Sequence, residues 1–337
     1  MSKNVASEKL VSVIIPCYNA EPFVGETIAS VQDQSWTRLE IIVVDDGSTD
    51  NSWNVIRSFG EKVTAIRQRN GGGCRARNVG AAKAKGEYLM FLDADDLLGP
   101  DSMEHLVTAL EGKKGIAACS WRRFEKSTKG WVRLPSGLPA DPPEGDPLLG
   151  WLVGWYIPPC ALLWARHTYE ETGGWDEELW ANQDGDLILR ALLGGAKIQR
   201  TNRGEAYYRN HGTARVSVSS NLGSVRAFRS RVRVLEKVTV RITELGCLDK
   251  YRIPLGQAYH KLARNNFETD TALARECLKR SRIYAGHKAV IGSLAHRVLC
   301  MLLGVERKEF LATLFGQKIF ANRYRKVSHK LFRSGGV

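Results

Sequence analysis

Three carboxylates stand together at Asp93, Asp95 and Asp96, directly after the apolar run Tyr88 to Leu92. Such a run reads as a buried strand, so the acids fall where a parallel strand ends and its loop begins. Ligands of open α/β sheets bind outside that edge. Two carboxylates one residue apart can hold a hard divalent cation there through oxygen, with a metal-bound diphosphate as guest. The same acids could instead decorate a helix N-terminus, because Pro100 and Asp101 read as the start of a helix. A second acid pair, Asp45-Asp46, follows the run Glu40 to Val44, and Pro16-Cys17-Tyr18-Asn19 closes the run Leu10 to Ile15.

Placing those groups together requires strands that end on one rim. The run Leu10 to Ile15 is a strand stopped by Pro16, and Pro22 opens a helix carrying Phe23, Ile28 and Val31. Glu40 to Val44 is a second strand, after which Asp50 can cap a helix with Trp53, Ile56 and Phe59. Val63 to Ile66 is a third strand, Arg75 to Lys85 a helix, and Tyr88 to Leu92 a fourth strand. This alternation predicts a doubly wound, mainly parallel α/β sheet with right-handed crossovers. No strand is followed by G-x-G-x-x-G, and G-x-x-x-x-G-K-[ST] is absent, so neither the dinucleotide fingerprint nor the P-loop is present. Asn70-Gly71-Gly72-Gly73 is either a loop passing close to a ligand, with Arg75, Arg77 and Asn78 after it, or a plain turn.

Four stretches in order, SVIIPCYNAE (12–21), EIIVVDDGSTDNS (40–52), NGGGCRARNVGAAKAKGEYLMFLDADD (70–96) and GGWDEELWANQDGDLILRA (173–191), resemble the successive motifs of the inverting family 2 glycosyltransferases of GT-A fold. The likeness covers residues 9–215. It implies that Pro16, Tyr18 and Glu21 meet the nucleotide and that Asp46 accepts from the N3–H of uracil, with Asp45 bracing the loop. It further implies that Arg77 approaches the nucleotide or its phosphates. Asp93 would touch ribose or metal-bound water, and Asp95 would ligate a divalent cation, Mn²⁺ or Mg²⁺. Asp184 matches the catalytic base, with Gln183 standing where the family carries glutamate. Its structural alternative is a helix N-cap before Gly185 to Leu193. Tyr208-Arg209-Asn210-His211 resembles the family's Tyr-Arg-x-His, whose histidine approaches the metal or diphosphate. The serines that usually follow at close spacing are here stretched to Ser217 and Ser219.

Between these motifs the reading gives a helix from Asp101 to Leu110, a strand from Ile116 to Trp121, and a Pro/Gly-rich segment around Pro135 to Pro147 that could lie over the acceptor side. Five of the nine tryptophans, at 151, 155, 164, 175 and 180, are each either core residues or surfaces for a sugar face.

Charge divides the chain. Residues 1–224 hold 25 Lys+Arg and 28 Asp+Glu, a net of −3, and residues 225–337 hold 24 and 8, a net of +16, which together give the overall +13. The boundary defines a glycosyltransferase domain at 1–224 and a basic helical C-terminal region at 225–337. From Ser224 to Leu245 apolar residues recur at threes and fours against arginine and lysine, which predicts a basic amphipathic helix; further helices are expected at 254–266, 271–284, 288–303 and 308–332. Such a tail either docks on an anionic membrane surface or packs as a bundle with its charge solvated. Nothing else in the chain speaks for nucleic acid. Residues 1–10 lack the apolar core of a signal peptide, and the seven cysteines are scattered without Cys-x-x-Cys, so a cytoplasmic protein, peripheral on the inner membrane face, is expected.

The function implied is metal-dependent transfer of a sugar, with inversion, from a nucleotide-diphosphate donor of UDP type to an acceptor hydroxyl in surface polysaccharide or glycolipid assembly. A catalytically silent nucleotide-sugar-binding module and a basic nucleic-acid-binding protein are the alternatives. Intact Asp93, Asp95 and Asp184 speak against the first of these.

Overall fold

β-Branched runs alternating with amphipathic segments build the first half of the sheet: β1 (Val11–Cys17), α1 (Glu21–Gln32), β2 (Leu39–Asp45), α2 (Ser52–Arg57), β3 (Thr64–Arg67), α3 (Gly73–Lys83) and β4 (Tyr88–Phe91). The structure, a computed structural model, describes residues 9–127, 130–134, 141–211, 223–290, 297–300, 304 and 307–308. These four strands are parallel, in the order β3-β2-β1-β4. Every residue of β4 is buried and so is all of β1 except Pro16, as strands covered on both faces require. Helix α3 comes so near to β1 that a Cβ at Gly80 would strike the Ile14 side chain, which is why a residue without one stands there.

The second half contains β5 (Leu97–Leu98), α4 (Ser102–Leu110), β6 (Ile116–Ser127), β7 (Gly130–Arg133), α5 (Pro147–Val153), β8 (Leu162–Ala165), α6 (Arg166–Glu171), α7 (Gln183–Leu193) and β9 (Ile198–Asn210). The sheet continues β4-β8-β6-β9-β5, with β7 paired to β6. Here β8 is antiparallel to both β4 and β6, β5 is antiparallel to β9, and only β6 with β9 is parallel. The doubly wound parallel pattern therefore belongs to β1–β4, and the rest of the sheet is mixed. Parallel neighbours need a crossover, whereas β7 turns directly back on β6. β9 is a strand that the sequence reading did not foresee, because its residues Arg200 to Gly204 are polar and only partly buried.

The chain forms two compact units, Met1–Leu222 with Glu236–Leu248, and Gly223–Leu235 with Asp249–Val337. The charge-based cut at 224/225 assigned the 236–248 stretch to the basic region, whereas its contacts lie with the first unit. Both units draw on α8 (Val225–Glu244). Its apolar residues Phe228, Val232, Leu235, Val238 and Ile242 are all buried. The second unit also contains α9 (Leu248–Asn265) and α10 (Thr271–Ala285). α9 begins earlier than expected and carries Pro254 inside it, whereas the sequence reading placed proline at the helix start. Gly256 of α9 meets Ala285 closely, and Tyr259 stacks on Tyr284 with ring centroids 6.1 Å apart. Of the other helices expected in the tail, residues 291–296, 301–303 and 309–337 lie outside the described residues, as do Pro135, Pro139, Ser217 and Ser219. Among the described residues no helix is long and apolar enough to cross a membrane.

Candidate active site

The carboxyl ends of β1, β2 and β4 meet on one rim, because β1 pairs in parallel register with both neighbours, Cys17 opposite Asp45 and Ile14 opposite Phe91. Beyond β4 the chain delivers Asp93, whose Oδ1 lies 2.5 Å from Nη2 of Arg77 on α3. The same guanidinium donates from Nη1 to Oε1 of Gln183 at 3.2 Å and lies over the Trp175 ring, 4.5 Å from its centroid. Arg77 thus links the acid loop to the head of α7. Its tie to Gln183 was not foreseen. Glutamine there gives Arg77 a neutral acceptor and leaves Asp93 as its charged partner.

Asp95 is brought to His211 by a pairing too short to be read from sequence. β5 is two residues long, yet Leu97 faces Tyr207 antiparallel, which carries the residues before Leu97 alongside those after Tyr207. His211 Nε2 lies 2.8 Å from Asp95 Oδ2, and the His211 ring tilts against Phe23 at 4.7 Å. Arg209, nearly fully buried, donates from Nε to the Asp95 carbonyl at 2.6 Å and from Nη2 to Glu26 at 2.7 Å. Arg209 and Glu26 hold this corner in place; the sequence reading quoted Arg209 only as part of a motif, with no role, and did not name Glu26.

Asp96 is 1% exposed and accepts the Arg209 backbone N–H at 2.8 Å. Burial, then the neighbouring Asp95 and Asp93 charges, pushes its carboxyl well above the ordinary range. A folded-state pKa raised above the unfolded value means that this group's stabilisation is full in acid and is lost as pH rises through the raised value. Asp96→Asn keeps an acceptor for Arg209 and carries no charge. It is expected to match wild type in acid and to melt higher than wild type in alkali. Asp96→Ala strands a buried N–H and should cost about 1–3 kcal/mol. Thermal melts of the three proteins over a pH series check both outcomes.

At the carboxyl end of β2, Asp46 is buried, and its carboxylate braces the glycine loop. Oδ1 accepts from Gln68 Nε2 at 2.7 Å and Gly71 N at 2.8 Å, and Oδ2 from Gly72 N at 2.8 Å. Asp45 braces the turn after β2, accepting from Ser48 N and pairing with Arg67 at 3.0 Å, while Asp46 is the residue that holds the glycine loop. Gly47, at φ +76°, lets this turn sit against the Asn70 backbone, which a Cβ would meet at 2.9 Å. Asn19 Oδ1 accepts from Thr49 N at 2.8 Å and ties the end of β1 to the same loop. Tyr18 is 47% exposed beside it, and Pro16 is half-buried. Glu21, at the start of α1, accepts from Asn51 N at 3.1 Å.

Asp184 lies in the first turn of α7, but the N-cap is Asn182, so the capping alternative for Asp184 does not hold. Its side chain keeps some contact with solvent, yet burial raises its carboxyl above the ordinary range, against the lowering effects of the Gly185 N–H and of Arg77. A carboxyl raised by burial beside a guanidinium is a candidate for proton transfer. Its acidic neighbours are engaged. Asp186 pairs with Arg190 at 2.7 Å and Lys237 at 2.5 Å, and Asp176 pairs with Lys237 at 3.0 Å. The turn carrying Asp176 is fixed by Asn78, whose amide accepts from Trp175 N at 2.9 Å and donates to the Trp175 carbonyl and Glu177. Among the tryptophans, Trp164 and Trp175 are core residues, whereas Trp151 and Trp155 are half-buried and pack edge to face at 6.5 Å. A separate aromatic cluster of Trp121, Tyr156 and Tyr208 was not anticipated; burial, Asp96 and Asp93 raise the Tyr208 phenol, which places it near the acid loop.

Residues 12–169 match the model of the family described as Glycosyl transferase family 2. The match takes in just under half of the chain. The chain is 32% identical over 195 residues to an uncharacterized glycosyltransferase of Rickettsia typhi, covering 57% of this chain and 61% of the relative. It is 40% identical over 136 residues to the uncharacterized glycosyltransferase YibD of Escherichia coli, covering 39% of each. Against the uncharacterized glycosyltransferase EpsJ of Bacillus subtilis it is 28% identical over 213 residues, 60% of this chain and 61% of that one. The chain thus spans about three fifths or less of the length of these relatives. Its fold resembles that of S. aureus TarS residues 1–349 in complex with UDP-GlcNAc, with a TM-score of 0.59 at 16% identity over 83% of this chain and 90% of that one. The architecture of the chain is accordingly GT-A.

Proposed function

We propose that this protein is an inverting glycosyltransferase that moves a sugar from a UDP-linked donor to a hydroxyl of a glycan or glycolipid acceptor. The observation that carries the reading is the Arg77 bridge, which joins Asp93 on the donor side to the head of the helix bearing Asp184. The nucleotide would lie against Pro16, Tyr18, Glu21 and Asp46, whose Oδ2 accepts a single bond and keeps room for a base N–H. S. aureus TarS structures hold UDP-GlcNAc or UDP, which supports a donor of that class here. Asp184 takes the proton of the acceptor hydroxyl as its oxygen bonds to the anomeric carbon. The bond from that carbon to the diphosphate breaks on the opposite face, its electron pair leaving with UDP, so configuration inverts in one displacement.

A divalent cation fits the Asp95–His211 pair. Ligands about 2.1 Å from an octahedral ion and adjacent to each other stand about 3.0 Å apart, close to the 2.8 Å separation of Oδ2 and Nε2. Among the described residues no group of three or more His, Cys, Asp or Glu side chains is arranged to hold an ion. Mg²⁺ at nucleotides is usually held by one or two carboxylates together with substrate phosphates, and Asp95 would supply the carboxylate here, with His211 beside it. When bound, the cation would offset negative charge on the departing diphosphate.

A screen of nucleotide sugars, with and without Mn²⁺ or Mg²⁺, tests this reading by thermal shift and by donor hydrolysis. UDP-sugars should raise the melting temperature and be hydrolysed slowly when the cation is present. Binding without any turnover would favour the silent binding module, and no shift with any nucleotide sugar would overturn the assignment. For the basic region the buried apolar face of α8 leaves charge as the attraction to a membrane, with Arg226, Arg229, Arg233 and Arg241 exposed. Sedimentation of the intact protein with anionic liposomes should then fall steeply as salt shortens the screening length to about 10 Å at 0.1 M. Absence of sedimentation at low salt would make the region a packing element.

A further inference from the structure

The second half of α8, which belongs to the same unit as the sheet, lends one side chain to the acceptor end of the site. Sequence spacing puts Lys237 on the polar face of that helix, where an ammonium would ordinarily be solvated. Its Nζ instead lies 2.5 Å from Oδ1 of Asp186 and 3.0 Å from Oδ2 of Asp176. Asp186 is 1% exposed, and its other oxygen takes Nε of Arg190 at 2.8 Å and Nη2 at 2.7 Å. The other oxygen of Asp176 accepts from Glu178 N at 3.0 Å. Lys237 is therefore one cation joining two carboxylates, one on the turn before the site and one on α7, two residues after Asp184.

We infer that Lys237 is a positioning residue for the transfer reaction: its bridge from Asp176 to Asp186 sets the orientation of α7's first turn and hence of the Asp184 carboxylate. The inference rests on the reading of Asp184 as the base. Lys237 is not what keeps the region folded. Arg190 also bonds the carbonyls of Thr172 and Gly174, and Asn78 holds the Trp175 backbone, so the turn stays attached to the sheet unit without Lys237. What its loss removes is the third tie, the one that fixes the angle between the turn and the helix. General-base catalysis needs the reacting atoms at near-attack distance, and a displacement of about 1 Å can cost about a hundredfold in rate.

The experiment compares full-length Lys237→Met, Lys237→Arg and Asp184→Asn with wild type, measuring kcat, donor KM, UDP affinity and thermal melting. Lys237→Met should lower kcat about tenfold or more while donor KM and UDP affinity stay within about twofold, because Glu21 and Asp46 take their bonds from the loops after β2 and β3 and not from α8. Lys237→Arg, whose fork can span both carboxylates, should recover most of that loss. If Lys237→Met melts too low to assay, Lys237→Gln, which keeps a donor for one carboxylate, is read in its place. Wild-type kcat in the neutral variant, with Asp184→Asn inactive, overturns the positioning role and leaves the base intact. A parallel loss of kcat, UDP affinity and melting temperature overturns it too, since that marks a structural support. Transfer retained by Asp184→Asn removes the base itself and the inference with it.

Discussion

Asp184→Asn is expected to fold, to bind UDP with its cation as wild type does, and to transfer sugar at least about a hundredfold more slowly, the low end of what a positioned general base contributes. The helix is not at risk, because its N-cap is Asn182 and asparagine in the first turn forfeits only a dipole interaction of about 0.3–1 kcal/mol. An amide cannot take the acceptor's proton at neutral pH, and the neighbouring described carboxylates are engaged elsewhere. Asp186 and Asp176 are held by Lys237, and Asp93 by Arg77. The wild-type rate carries a second signature. Burial raises the Asp184 carboxyl, so the ionised base is lost as pH falls through that raised value, and the acid limb of the kcat profile should lie above the ordinary aspartate range. Near-normal transfer by the variant, measured with a labelled donor, would place the base elsewhere.

Asp95→Ala should reduce metal-dependent donor turnover to background, the larger of the two losses, because it removes one of the two side chains that face the cation position and the only carboxylate of that pair. The local fold should survive, since Arg209 bonds the backbone carbonyl of residue 95, which alanine retains. The readouts are donor hydrolysis against Mn²⁺ concentration and UDP thermal shift with and without cation. In the variant the shift should no longer depend on the cation. Turnover at the wild-type level with unchanged cation dependence would sink the metal assignment to Asp95 and His211 together.

The parallel half of the fold was legible in the chain because β1, β4 and most of β2 are buried and read as continuous apolar runs. Each ends in a local punctuation that sequence shows directly: Pro16 after β1, Asp45-Asp46 at the end of β2, Asp93 after β4. The acid loop, the glycine loop and the turn before α7 were likewise visible, since each is a contiguous stretch of distinctive residue types. What only the tertiary structure decided is pairing across long separations. Asp95 meets His211 through a two-residue strand with no periodicity to detect, and Arg77 meets Gln183 across 106 positions. Asp46, whose type alone suits either a base or a loop, faces Gly71 and Gly72 because Gly47 turns the chain toward Asn70. Lys237 looked like one more solvated charge on a basic helix until the fold set it between two carboxylates. A side chain's type and local spacing fix what it can bond to. Which partner reaches it is set by how distant strands and helices pack, and that information is spread over the whole core.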